Sequence, residues 1–189
     1  MFNKSNRKRL LFIGLCASFI IVLAGCGNNE DTADKESMAS SVSESTEVVS
    51  GASISSKPED LLAGLSAEGS WIFAVTDDVT LTEDLVVSGT FYDKDDESTD
   101  IYRKLALYAQ DEDRNVTDEY NLTVPTIIVE SPNFKIENGT VTGDVLVKAE
   151  GFTLANSTVE GNVTFDSQEL MDASTFDGET ITGETSIAK

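Results

Sequence analysis

From Trp71 onward, apolar and polar residues alternate along the chain with a period of two. WIFAV (71–75) is a compact apolar run. VTLTEDLVVSGTF (79–91) alternates at Val79, Leu81, Leu85, Val87, Gly89 and Phe91. YRKLALYAQ (102–110) alternates at Leu105, Leu107 and Ala109; YNLTV (120–124) alternates again, and IIVE (127–130) is apolar and β-branched. Successive side chains of a strand point to opposite faces, so this pattern, enriched in Val, Ile and Thr, predicts strands. The acidic stretches DKDDESTD (93–100) and DEDRNVTDE (111–119) between them predict solvated turns. One segment departs from the pattern: PEDLLAGL (58–65) predicts a short helix. Ser55 or Ser56 can cap it, Pro58 suits a first turn, and Glu59 and Asp60 favour the positive end of the helix dipole.

The chain then repeats itself. ENGTVTGDVLV (137–147) returns 18 residues later as ANSTVEGNVTF (155–165). Laying 134–151 over 152–169 matches Phe134 with Phe152, Ile136 with Leu154, Val141 with Val159, Gly143 with Gly161 and Val145 with Val163. A degenerate third copy, ITGETSI, occupies 181–187, and VVSGTF (86–91) suggests an earlier relative. Within one copy the apolar parity switches twice, at Asn138-Gly139 and at Ala149-Glu150-Gly151. One unit therefore holds two strands and two corners, each strand aiming one face inward. The fold class expected is all-β: a short β-solenoid of about 18-residue coils, with a β insertion and one short N-terminal helix. The alternative is an antiparallel β-sandwich or meander, because Asn138-Gly139 also suits a type I′ hairpin.

The start of the chain has a different character. Lys4, Arg7, Lys8 and Arg9 precede LLFIGLCASFIIVLAG, which carries no charge. That is the form of a secretory signal. It ends in Leu23-Ala24-Gly25-Cys26, which resembles the lipobox of bacterial lipoproteins. The resemblance implies cleavage before Cys26, acylation of its sulfur and palmitate-type chains at the new terminus. Two or more acyl chains give a stable membrane anchor. The expected organisation is a signal peptide at 1–25, a lipidated Cys26 with a disordered tether to 57, and a β-rich domain at 58–189. Residues 27–57 are rich in Ser, Thr, Glu, Ala and Gly without an aromatic residue, too little apolar surface to offset the entropy of ordering.

The repeat elements Val-Thr-Gly-Asp-Val (141–145) and Val-Glu-Gly-Asn-Val (159–163) resemble those of bactofilins. The resemblance covers the chain from Ile127 onward and implies a right-handed β-helix whose ends stack into filaments without nucleotide. Typical bactofilins are cytosolic, whereas this chain carries a lipoprotein signal and only two clear coils.

Charge and missing residue types narrow the function. Net charge is −21, and removal of residues 1–25 with their four positive charges makes it −25. A chain this acidic repels other polyanions, which argues against nucleic acid as partner; divalent cations and cationic surfaces are the natural electrostatic partners. There is no His, and the two cysteines are Cys16 in the signal and Cys26 in the lipobox. The commonest general base, thiol chemistry and disulfides are thus missing from the mature domain, and neither an enzyme nor a cofactor is expected. Basic residues well inside the β region are Arg103, Lys104, Arg114, Lys135 and Lys148. Asp93, Asp95, Asp96 and Glu97, like Asp111, Glu112 and Asp113, lack the glycine and distal glutamate of an EF-hand and are expected as solvated loops. Sequons at Asn115, Asn121, Asn138, Asn156 and Asn162 are expected as by-products of Asn-rich turns. Trp71 with Phe73 reads either as a glycan-stacking platform or as core, and the helix at 58–65 together with Trp71 as a cap on the first coil. The expected function is a lipid-anchored extracytoplasmic structural or self-associating module of the cell envelope. The alternative is an envelope lipoprotein that binds a glycan, a cation or a partner protein.

Overall fold

The computed structural model describes residues 52–189. The leader, the lipobox with Cys26 and tether residues 27–51 lie outside the described residues. Within them the protein is mostly β, and two sheets are built from parallel strands.

Ala52–Ile54, read from the sequence as the end of the tether, is strand β1. It pairs in parallel with β2 (Ile72–Ala74). Between them in the chain lies α1 (Pro58–Gly64), with Pro58 at its start and Glu59 and Asp60 in its first turn. Neither expected serine caps it. Lys57 is the N-cap residue and makes no side-chain cap, while the Ser55 hydroxyl donates to Asp60 Oδ2 at 2.6 Å. Leu61 and Leu65 are fully buried.

The stretch 79–91 forms β3 (Val79–Thr80) and β4 (Leu85–Val87). The acidic stretch at 93–100 holds one 3-10 turn, Asp93–Asp95, inside an antiparallel bridge between Tyr92 and Ile101. β5 (Arg103–Ala106) follows. Then β6 (Tyr108–Gln110) and β7 (Val116–Glu119) form an antiparallel hairpin. Part of 111–119, expected as a solvated turn, is therefore strand; its hydrogen bonds to β6 satisfy backbone that the side chains leave exposed. Residues 120–130, expected as two runs, are one strand, β8 (Asn121–Val129).

The repeats supply β9 (Phe134–Glu137), β10 (Thr140–Val147), β11 (Thr153–Ala155), β12 (Thr158–Glu160) and β13 (Val163–Phe165). After a short α2 (Gln168–Asp172) come β14 (Thr175–Asp177), β15 (Thr180–Ile181) and β16 (Thr185–Ile187). The first sheet runs β1-β2-β5-β9-β11-β14. The second runs β15-β12-β10-β13-β16, with β8 beside β10 and β3 and β4 beside β8.

The 18-residue period is a register. Ile136 lies beside Leu154, and Val141 beside Val159. The columns extend in both directions: Phe73, Leu105, Ile136, Leu154 and Phe176 form one, and Val87, Val129, Val147, Phe165 and Ile187 another. The degenerate third copy takes its expected place, Ile181 beside Val159, but the step is 22 residues because α2 fills the connection. VVSGTF does not align as an earlier copy. Val79, Leu85 and Val87 are the residues in register with Leu122, Ile127 and Val129, and Gly89 (φ +95°) turns against Ala67 instead.

The hairpin alternative fails at Asn138-Gly139. Both residues have positive φ, 57° and 60°, as a type I′ turn requires. Yet β9 pairs with β5 and β11, while β10 pairs with β8, β12 and β13. The left-handed pair turns a corner between two sheets, and the Asn138 amide donates to Ala155 of the next pass at 2.9 Å. Where β10 bends, Gly143 and Gly161 stack so closely that a Cβ on Gly161 would lie 2.1 Å from the Gly143 carbonyl oxygen. The recurring glycine of the repeat is thus a condition for passes to stack.

Candidate functional site

Alternation along β5 aims Leu105 inward, and Arg103 with it. Arg103 is fully buried. Its Nε donates to Ser70 O at 3.1 Å, and its Nη2 to Gly64 O and Ser66 O at 3.0 and 2.8 Å. Its Nη1 donates to Ser88 O. The guanidinium carbon sits 4.0 Å from the centroid of the Phe91 ring. Burial lowers the Arg103 pKa to about 10, so the group stays charged at neutral pH. A cation among the last carbonyls of α1 complements the helix dipole, and the Gly64 and Ser66 carbonyls, which also accept from the Ser70 and Gly69 amides, gain a second donor. This side chain ties α1, the 66–70 loop and the turn after β4 to β5. With its donors committed to backbone, it is a structural clamp.

On the opposite face of β5, Lys104 Nζ meets Glu137 Oε2 at 2.7 Å, and Lys135 Nζ meets Glu137 Oε1 at 3.0 Å. The Tyr108 hydroxyl donates to Glu137 Oε2 at 3.0 Å. Register brings them together: Lys104 lies beside Lys135 and Ala106 beside Glu137, and β6 folds Tyr108 over the group. Burial alone would raise the Glu137 carboxyl. The hydrogen bond and charge of Lys104, with hydrogen bonds from Lys135 and Tyr108, outweigh it and hold the pKa at about 2. Burial lowers Lys104, and Glu137 more than restores it. The Tyr108 and Tyr102 phenols are raised, chiefly by burial. None of these groups is poised to exchange a proton near neutral pH, so the network suits stabilisation of the first sheet better than acid–base chemistry.

The acidic clusters sit apart from both groups. Asp96 accepts from the Ser98 amide and hydroxyl at 2.9 and 2.7 Å. Asp111 at the β6–β7 tip accepts from the amides of Asp113 and Asn115 and from the Asn115 side chain. Both are exposed turns, and their hydrogen bonds hold each carboxyl below the usual range. Among the described residues no group of three or more acidic residues is placed to hold a metal.

Trp71 and Phe73 are buried, so they offer no stacking platform. Trp71 packs on Tyr102 with centroids 6.0 Å apart, and its Nε1 has no hydrogen-bond partner among the described residues. Among the sequons, Asn138 is buried at its corner. Asn162 stacks on Asp144: its amide and side chain donate to Asp144 Oδ1 at 2.8 and 3.1 Å, and its own Oδ1 accepts from the Glu184 amide at 3.0 Å. The change from Asp144 to Asn162 between copies thus supplies a donor where two carboxylates would meet. A cleft of about 440 Å³ opens beside α1, lined by Ser53, Ile54, Asp60, Glu68, Ser70 and Phe73 among others.

Of the basic residues singled out in the sequence, Arg103, Lys104 and Lys135 enter these two constellations, and Lys148 pairs weakly with Glu130 at 3.5 Å. Arg114 sits at the hairpin tip with φ 65°. The Arg103 clamp was not foreseen, although a cation on the apolar parity of β5 is a visible signal. The Glu137 network depends on a 31-residue step between Lys104 and Lys135 that no repeat announces. The chain matches no family model, no curated protein and no solved structure.

Proposed function

We propose that this protein is a structural module of the bacterial cell envelope, anchored by lipid on Cys26 at the extracytoplasmic face of the cell membrane. In this reading residues 52–189 form a short β-solenoid that acts through its surfaces and associates with further copies through its last layer. It needs no cofactor and carries out no catalysis.

The observation that carries the reading is the stacked parallel register. Apolar columns run through five passes, and their final members are the least covered. Phe176 and Ile181 are only partly buried, and Ile187 is 37% exposed. β14, β15 and β16 each have a strand neighbour on one side. Unpaired strand edges of this kind are templates for another chain. At the opposite end β1, β3 and β4 also have one strand neighbour each, but the inward Val79, Leu85 and Val87 are buried in one cluster with Leu61 and Leu65, so the matching partner surface is the last layer of a second copy. Asp177, Glu179 and Glu184 lie there, and their repulsion makes contact stronger in salt or millimolar divalent cation. A ligand-binding alternative rests on the cleft beside α1, where Asp60 and Glu68 suit a cation.

Two experiments test this. Mass spectrometry of the membrane-extracted protein should find a chain that begins at an acylated Cys26, and Cys26→Ser should abolish both the acylation and the cleavage. Thr185→Pro, which removes an amide on the open side of β16, should abolish salt-strengthened association seen in sedimentation. A wild-type protein whose association weakens with salt would contradict the electrostatic argument.

A further inference from the structure

The outward face of the second sheet differs from the rest of this acidic surface. Thr123 and Thr142 stand side by side in one column, Thr140 and Thr158 in the next. Val86, Ile128 and Leu146 form a third, and Val86 is 41% exposed. Outward positions of these strands bear no lysine or arginine and only two carboxylates, Asp144 and Glu160. Both are engaged within the face: Asp144 accepts from Asn162, and Glu160 Oε2 accepts from the Thr142 hydroxyl at 3.1 Å. The first sheet, by contrast, turns its lysines and Glu137 outward beneath the β6–β7 hairpin.

We propose that this threonine and aliphatic face docks side-on against the same face of a second copy. The contact goes beyond the end-on reading and is independent of it. Charge selects the occupant. In a chain of net charge −21, two copies can bring this face together without opposing rows of carboxylates, and no hairpin lies over it as β6–β7 lies over the first sheet. Identical faces meeting about a twofold axis are self-complementary, and stacked sheets pack about 10 Å apart. Size sets the strength. A strand of eight residues, as in β10, spans about 26 Å, and five strands about 20 Å, so a pair buries on the order of 1,000 Å². That is the lower limit for a specific interface, which implies a weak contact favoured by high local concentration.

Cysteine cross-linking of the lipidated protein in non-ionic detergent tests the proposal, with the unsubstituted protein, whose Cys26 is acylated in this reading, as background. Leu146→Cys, near the centre of the face, should give an oxidised dimer at about 100 µM protein in about 0.5 M salt, conditions that favour a weak, screened contact. Thr153→Cys, on the first sheet, should not. Adding Ile128→Asp should cut the dimer by about tenfold, equivalent to losing about 1.4 kcal/mol of pairing. Ile128→Thr serves the same purpose if the aspartate variant loses its far-UV circular dichroism. Thr185→Pro, in the inward column of Val145 and Val163, should leave the cross-link intact, which separates this contact from the end-on one. Leu146→Cys that stays at background, or Thr153→Cys that cross-links equally, overturns the proposal. So does a Leu146→Cys thiol that is protected from maleimide by a cell-wall glycan digest but not by raised protein concentration, which assigns the face to a glycan.

Discussion

The two ends of the stacked sheets are built from the same columns and treated oppositely. Phe73 and Val87, the first apolar members, are as buried as Ile136 and Val147 in the middle: β1 runs beside Phe73, and Leu61 and Leu65 join the same core cluster. Phe176 and Ile187, the last members, carry the same apolar character and remain partly open. The lesson is that inward orientation does not bury a residue in such a stack. A neighbouring layer or a cap must lie above it. The first end also carries a buried cation that the last end does not: Arg103 adds a second donor to the Gly64 and Ser66 carbonyls after α1.

Removing that clamp breaks the comparison most severely. Arg103→Ala removes this donor from the carbonyls of Ser70 and Ser88, leaves those of Gly64 and Ser66 with only the Ser70 and Gly69 amides, and should lower stability by about 3–5 kcal/mol in urea unfolding. Arg103→Lys should recover only part, since an ammonium cannot reproduce the fork. If the alanine variant unfolds like wild type, the covered end does not depend on it.

A matched pair of truncations sharpens the comparison. Ile136→Ala should destabilise by about 2–5 kcal/mol, as for a buried core isoleucine. Ile187→Ala, the same change in the last layer, should cost less than about 1 kcal/mol in dilute protein, because little of its area leaves water. Equal losses would mean that the last layer is covered in solution.

The smallest effect is pH-dependent. Glu137 has a folded pKa of about 2 against an ordinary value of 4.5, so its contribution is complete above about pH 4.5 and is lost as pH falls towards 2. Allowing for its partial exposure, Glu137→Gln should cost about 2 kcal/mol at pH 7, and the two proteins should converge in acid. A difference constant from pH 7 to pH 2 would show that the network acts through packing instead.

Much of the stacking was legible in the sequence, because inward positions in a stack must be apolar in every pass. Phe134–Phe152, Val141–Val159 and Gly143–Gly161 gave the register directly. The third copy was found even through a changed step. Less legible was everything set by contacts between unrelated segments. Asn138-Gly139 has the local chemistry of a hairpin, and only the pairing of β9 and β10 with distant strands decides that it is a corner. β1 has almost no apolar signal, since an edge strand is held mainly by its backbone. The strand at Val116–Glu119 was hidden by its charge. The Arg103 and Glu137 groups depend on steps without a common period, so neither could be assembled from spacing.

Amide hydrogen exchange, followed strand by strand at low and high protein concentration in added salt, tests the central claim most directly. The expected result is strong protection in β8 to β13 at both concentrations, with β14 to β16 exchanging quickly when dilute and slowing markedly when concentrated. Protection of β14 to β16 that is already high when dilute and does not change with concentration would contradict the account of a last layer that binds another copy.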